Sequence, residues 1–300
     1  MRAESYAARE TIMAQPISDH RTIQFTSNVE LLLQQKQSRL MGKVNTGSYT
    51  GEAARPVAQF GEVEFGDNND WYGPTTFSDL DHQQRWVFPS DKDLALKVAK
   101  EEEIRMITNP KSPYAEAMRA AYARHYDRLV IEAALGDNKI GKYNNLQTVA
   151  LPASQVIDDG GEGLTLEKLN LMREMFDAAE VDDSDTRYLA LSARQVTNLL
   201  ETTEVKSADY NTVKALVKGE LNSFMGFEFV RLQLLPLAAG VRQCLAWVKS
   251  GLHVGAWNNL ETHIDQRPDL KYLWQIYMKC TTGATRTQEK KVIRVDCLEQ

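Results

Sequence analysis

The sequence predicts an α+β fold, and three observations carry that reading. Strand signals run from Val44 to Asp93 and again from Phe224 to Cys297, with apolar and polar residues alternating at a period of two in VAQFGEVEF and in Lys271–Thr282, the pattern of half-buried strands. Between these stretches, Ser112 to Leu135 places apolar residues at helical spacing. Further on, RYLAL (Arg187–Leu191) runs straight into a helix start at Ser192, a strand-to-helix unit of a central α/β layer.

The elements follow in order. A polar leader precedes Asn28–Leu40, where Val29, Leu32, Leu33 and Leu40 can share one face of a short helix. The next stretch holds TGSYTG, the alternating VAQFGEVEF, the turn-rich GDNND and then RWVFP, which together predict two long strands around a loose tip. Each strand of such a hairpin can reach ~60 Å at about 3.3 Å per residue. A compact chain of this length has a radius of gyration of only ~19 Å. The hairpin is therefore expected to protrude. An isolated two-stranded ribbon is marginal in water, so support from outside the chain's own core is expected as well.

The long helix starts with Ser112 as N-cap, Pro113 at the first helical position and Glu116 in the positive first turn. Tyr114, Met118, Ala121, His125, Leu129 and Ala133 recur on one face, and Gly136 supplies the stop. Thr165 announces a second helix with Leu166, Leu169, Met172 and Phe176 inward, ending in the acidic turn AEVDDSD. Ser192 and Gln195 form a capping-box pattern ahead of Val196, Leu199 and Leu200. Strand signals return in FMGFEFVRL, CLAWV and ETHID. After a turn at RPDL comes the run Lys271–Thr282, whose Tyr272, Trp274, Ile276, Met278 and Cys280 form the packed side. The final KVIRVDC is expected to pair with that run across the Gly283–Lys290 turn.

Composition narrows the function. The 300 residues are 43% hydrophobic and 25% charged, with 17 Gly and 9 Pro, values of an ordinary globular chain. With 35 basic against 41 acidic residues the formal charge is −6, which argues against a protein devoted to gripping nucleic-acid phosphates. Cys244, Cys280 and Cys297 lack CxxC spacing, so packed, reduced thiols are expected rather than a disulfide framework or a zinc site. The most apolar run, Leu232–Val241, is broken by Gln233, Pro236 and Gly240, and the leader MRAESYAARE has no secretory signal. A soluble intracellular product is the expectation, with no membrane contact.

The chemical motifs are weak. GDNKIGKY (Gly136–Tyr143) contains GxxxxGK, but Tyr143 stands where a phosphate loop needs Ser or Thr, and the motif follows a helix; a helix-terminating turn is expected. GSYTG (Gly47–Gly51) has Tyr49 in the place of a nucleophile and lies in a β setting, so no serine hydrolase is indicated. The histidines, His20, His82, His125, His253 and His263, form no metal-binding pattern, although His253 and His263 can approach each other in space. The acidic groups Asp91 with Asp93, Glu101–Glu103 and Asp182–Asp185 suit solvated turns better than paired catalytic carboxylates. An α/β metal-dependent hydrolase built on those groups and His253 or His263 is the competing enzyme reading. Trp71 and Tyr72 stand apart: at a protruding tip they are costly in water unless a partner covers them or they fold back on the body.

The ordered set SNVELLLQQKQSRL, VNTGSYTGEAA, RWVFPSDKD, NPKSPYAEA, DYNTVKALVKGE, SFMGFEFV, AWVKSGLHVGAWN, HIDQRPDLKY and YMKCTTGATRTQE resembles the major capsid proteins of tailed bacteriophages, the phage capsid protein branch of the Hong Kong 97 fold. The resemblance implies an N-terminal arm (1–43), an extended β-hairpin loop (44–92) and a peripheral domain (93–147 and 251–300) with a spine helix at 112–135. It also implies an axial α/β domain at 148–250. It implies a structural protein and no enzyme, without cofactor or metal, assembled in the host cytoplasm into hexamers and pentamers of an icosahedral virion shell around double-stranded DNA. A separate scaffolding protein and a portal are the implied partners, and contact with packaged DNA is non-specific, Lys36, Arg39 and Lys43 being the basic residues of the arm. Inter-subunit contacts of the extended loop are expected at Tyr49, Phe60, Val63, Phe65, Trp71, Tyr72 and Trp86. A non-viral encapsulating shell shares this architecture. No lysine–asparagine crosslink pair is matched.

Overall fold

The computed structural model describes residues 34–60, 82–98, 111–182, 184–201 and 223–299. They form a mixed α/β fold with three helices and three sheets. The central sheet runs β7 (Val156–Ile157), β15 (Val292–Leu298), β12 (Val241–Val248), β8 (Arg187–Leu191), β10 (Phe227–Arg231) and β9 (Ser223–Phe224), with β11 (Leu237–Ala238) beside β12. A second sheet has the order β1 (Asn45–Ser48), β13 (Leu252–Arg267), β14 (Leu273–Arg286), β4 (Ser90–Val98); a third has β2 (Ala54–Phe60), β3 (His82–Val87), β5 (Asn138–Lys142), β6 (Asn145–Val149). The helices are α1 (Lys111–Leu135), α2 (Leu166–Ala178) and α3 (Ala193–Glu201), none long and apolar enough to cross a membrane.

The main core lies between the central sheet, α2 and the C-terminal half of α1. All five residues of β8 are buried, as a strand covered on both faces requires. Tyr188 stacks on Trp247 with ring centroids 5.5 Å apart, and the Trp247 indole donates to the Lys43 carbonyl at 3.0 Å. For α2 the expected N-cap is in place: the Lys168 amide donates to the Thr165 hydroxyl at 3.4 Å, and Leu169, Met172 and Phe176 are fully buried. Cys244, Cys280 and Cys297 are free and buried.

Tertiary contacts overturn several local expectations. KVIRVDC does not pair with the Lys271–Thr282 run; β15 pairs antiparallel with β12, from Val241↔Leu298 to Trp247↔Val292, and parallel with β7. Its burial on both faces suits the central sheet, where a half-wet partner such as β14 would leave one side exposed. Gln195 does not complete a capping box. The Ser192 hydroxyl accepts from the Gln195 amide at 3.5 Å, but the Gln195 side chain accepts from the Leu164 amide (2.8 Å) and donates to the Leu298 carbonyl (3.1 Å). GDNKIGKY is more than a helix-ending turn, since Asn138–Lys142 forms β5 and returns as β6 through Tyr143–Asn144. Gly136 does end the helix: its amide bonds to the Glu132 carbonyl, and a Cβ there would lie 2.6 Å from that oxygen. Tyr272, expected on the packed side, is 60% exposed because it and Lys271 close the hairpin turn with φ of 57° and 53°.

The helix expected over Asn28–Leu40 is absent from its described part, where Gln34–Leu40 runs as an irregular strap. The cause is Asp127, a fully buried carboxylate in α1. It accepts from the amides of Arg39 (3.1 Å) and Leu40 (3.2 Å), from the Ser38 hydroxyl (2.6 Å) and from the Gln35 side chain. Helix α1 therefore buries more than the single expected face: Met118 faces the β13–β14 side, while Tyr126, Asp127, Val130 and Ile131 face the strap and the main core. Replacing Asp127 by Ala is expected to cost about 3 kcal/mol in urea unfolding of the subunit, because buried donors lose a charged acceptor. Backbone amides 38–40 are expected to lose hydrogen-exchange protection first.

Candidate assembly site

The root of the hairpin is built from two sheets. β1 adds parallel to β13, Asn45↔His253 through Ser48↔Ala256, and the Tyr49 amide continues the ladder to the Ala256 carbonyl at 2.9 Å. Cross-strand Gly255 and Gly283 make room at this point. A Cβ on Gly255 would lie 3.0 Å from the Tyr49 ring, and one on Gly283 would lie 2.2 Å from the Phe88 carbonyl oxygen. Tyr49 thus packs over Gly255 with Trp257 (centroids 5.6 Å apart) beside it, and its hydroxyl lies 2.8 Å from His253 Nε2. Burial pushes the phenol up and the imidazole down, so both are held neutral, and the ring accepts the phenol proton when its own proton is on Nδ1.

Strands β2 and β3 pair antiparallel, from Ala54↔Val87 to Phe60↔His82. The expectation of an unsupported two-stranded ribbon does not hold here: β3 also pairs with β5, so the described part is a four-stranded sheet within one chain. The Trp86 indole donates to the Gly141 carbonyl (2.6 Å) and packs on Tyr143, whose hydroxyl donates to Glu52. On the other side, Gln59 donates to the Thr287 carbonyl at 2.7 Å.

A buried ionic cluster fixes this root. Arg85, 2% exposed, grips Glu289 with two hydrogen bonds of 2.6 Å, and Nε of the fully buried Arg286 lies 3.8 Å from the same carboxylate. Arg286 also donates to the carbonyls of Ala134 (2.8 Å), Gly136 (3.1 Å) and Val149 (3.3 Å). Asn138 donates to Ala133 (2.9 Å) and accepts from the Thr285 hydroxyl (3.0 Å) and the Arg286 amide (3.1 Å). Burial pushes the Glu289 carboxyl up, but the hydrogen bonds and charge of Arg85, with the charge of Arg286, more than offset this and hold it below the usual range.

Of the expected contact residues, Tyr49 and Trp86 are described, half-buried and on different sheets. Phe60 is placed by its backbone at the end of β2; Val63, Phe65, Trp71 and Tyr72 lie outside the described residues. Arg85, Arg286 and Glu289 were not singled out in the sequence. One signal was present, since period two puts Arg85 on the same face as buried Val87, where a cation demands a partner. Lys36 pairs with Glu116 (3.2 Å), Arg39 donates to the Arg231 carbonyl, and Lys43 pairs with Glu228. His253 and His263 do not approach each other; ten positions apart on one strand, they are separated by about 33 Å. Among the described residues no three His, Cys, Asp or Glu side chains are grouped to hold a metal.

This chain matches the phage capsid protein family over residues 17–299. It belongs to that family. Solved structures with the same fold include the capsid of cyanophage P-SCSP1u, at 15% identity and a TM-score of 0.74 with 96% of each chain covered. The cyanophage Pam1 capsid matches at 12% identity and 0.70, covering 95% of this chain and 98% of that one. The capsid of Ralstonia phage GP4 matches at 11% and 0.69, covering 99% of both. Among curated proteins none matches. The chain is a bacteriophage capsid protein, with a structural role.

The ionic cluster predicts how the fold responds to acid. A carboxylate held below its usual range contributes stability that is complete above the unfolded value near ~4.3 and lost as pH falls through the folded value. Glu289→Gln is expected to cost about 3 kcal/mol at neutral pH, as for one partner removed from a buried pair. Urea melts across pH should show the loss of stability on acidification flattened in the variant, with the two proteins converging at acid pH.

Proposed function

We propose that this capsid protein is the major shell subunit, with the Hong Kong 97-type fold, and that hexamers and pentamers of it build an icosahedral shell around double-stranded DNA. The observation that carries the proposal is the extent of the likeness: the phage capsid match runs over residues 17–299, and the three capsid structures are covered over at least 96% of their length. In this reading the 111–135 helix is the spine, 1–43 the N-terminal arm, 44–92 the extended loop, 148–250 the axial domain, and 93–147 with 251–300 the peripheral domain. β15, from the last segment, would then complete the axial domain's sheet. A separate scaffolding protein, a portal and non-specific DNA contact belong to the same proposal, with assembly in the host cytoplasm.

The physical step is completion of the loop by a neighbour. Residues 61–81 contain Phe65, Trp71, Tyr72 and Phe77. Covering such rings at about 25 cal/mol per Å² of apolar area can offset the entropy of ordering the segment, which costs roughly 1–2 kcal/mol per residue. The support for an anchored root is specific: Arg85, Trp86 and Gln59 hold β2 and β3 to the body of their own chain. Deleting Val63–Asp79 is expected to leave a folded, soluble subunit with unchanged circular dichroism that makes no shells by negative-stain microscopy. Normal particles from the deletion would refute the reading.

A further inference from the structure

Two short 3₁₀ turns meet beside the ionic cluster: Lys249–Gly251, between β12 and β13, and Glu289–Lys291, between β14 and β15. They are stapled together. The Thr287 amide donates to the Gly251 carbonyl (2.9 Å), the Thr287 hydroxyl to the Ser250 carbonyl (2.7 Å), and the Lys291 ammonium to the Ser250 hydroxyl (3.1 Å). Gly251 sits so close that a Cβ there would lie 2.9 Å from the Lys291 carbonyl oxygen. The turns display Lys249, Lys290 and Lys291 on one rigid platform. The neighbouring carboxylates are already engaged, Glu289 by Arg85 and Asp185 by the Ser250 hydroxyl at 3.0 Å. Lys249 and Lys290 are exposed and have no carboxylate partner among the described residues.

The complementary charge is in the chain itself. Segment 61–81 carries Glu62, Glu64, Asp67, Asp70, Asp79 and Asp81 and no Lys or Arg, as much negative charge as the whole chain's formal −6. We propose that the lysine platform of one subunit receives the acidic loop tip of a second copy. This deepens the shell reading and rests on it: the aromatic rings supply contact area, while the charge pairing sets which surface is chosen and in what register.

The test is charge reversal in the full-length chain, with circular dichroism confirming that each variant folds. One variant carries K249E, K290E and K291E; the other carries E62K, E64K, D67K and D70K. Alone, each places like charges at the contact, and each is expected to lose assembly. Mixed, the acidic tips meet lysine platforms and the basic tips meet acidic platforms, and hexamers, in which the two variants can alternate, are expected to return. Lys→Gln at the three platform positions should raise the subunit concentration needed for assembly about tenfold, and so should 1 M salt, which shortens screening from about 8 to about 3 Å. Several results would overturn the proposal. Normal shells from the lysine-reversed variant would do so, including shells that merely package less DNA, which would turn the platform toward nucleic acid. Both reversals in one chain are expected to restore shells too, since each basic tip then meets an acidic platform on the next copy. No rescue by either route would remove charge pairing as the cause. If the Val63–Asp79 deletion blocks assembly while lysine reversal does not, the shell reading stands and this inference falls.

Discussion

Two guanidinium groups, Arg85 and Arg286, face one carboxylate, Glu289, at the place where α1 ends and the β3–β5 sheet meets β14. A helix of this length leaves its last carbonyls unsatisfied and a partial negative charge at its C-terminus, and α1 has no basic residue in its last turn to meet it. Arg286 supplies that cation from a distant strand, and Asn138 takes the carbonyl that Arg286 does not reach. Donors outnumber acceptors, so Nε of both arginines lacks a hydrogen-bond partner. That shortfall is tolerable because removing any one member would leave the others buried and charged, a larger penalty. The cluster therefore holds all its members together and fixes β3, with its partner β2, against β5 and the end of α1.

Away from this junction the second sheet changes character. Arg286 is fully buried, as is Ile276, but Tyr272 is 60% and Ile264 42% exposed, and β13 is open to solvent on both faces from Thr262 to Arg267. The β13–β14 ladder shifts register twice, between Ala256 and Asn258 and between Asn258 and Glu261, just past the Gly255–Gly283 pair. Tyr49 and Phe88 press on those glycines from the root of the extended segment, so the sheet is rigid where it carries that root and bent immediately beyond. A two-sided wet ribbon with open edges is a liability for a lone molecule; charged residues such as Lys97, Lys279 and Arg267 along it limit indiscriminate pairing.

What could be read from the sequence was local, and what could not was long-range. Thr165 as a cap, the inward face of α2, the stop at Gly136 and the turn at RPDL each depend on residues within a few positions of one another, and each is present. The pairing of β15 failed because adjacency in sequence favours β14, whereas burial on both faces favours β12. The strap at Gln34–Leu40 and the second role of Gln195 failed for one reason: a hydrogen-bond partner far along the chain outbid the local one. The cap, proline and periodicity signals placed the long helix within one residue of its observed start, yet gave no hint of Arg286 or Glu289, whose partnership exists only once three separate segments are folded together.

The Glu289–Lys291 turn shows how buried and surface charge are linked. A single turn cannot hide all three of its charged residues, so it sorts them: the carboxylate turns inward to two arginines that would otherwise be unpaired in the protein interior, and Lys290 turns out to solvent. The acid consumed inside is no longer available to neutralise the lysines outside. Satisfying the core in this way leaves a cationic surface directly above it, on backbone that the Thr287, Ser250 and Gly251 contacts keep from shifting. The same electrostatic demand that fixes β3 therefore also fixes the sign and position of the surface beside it. Among the described residues no carboxylate pairs with Lys249 or Lys290 on that surface.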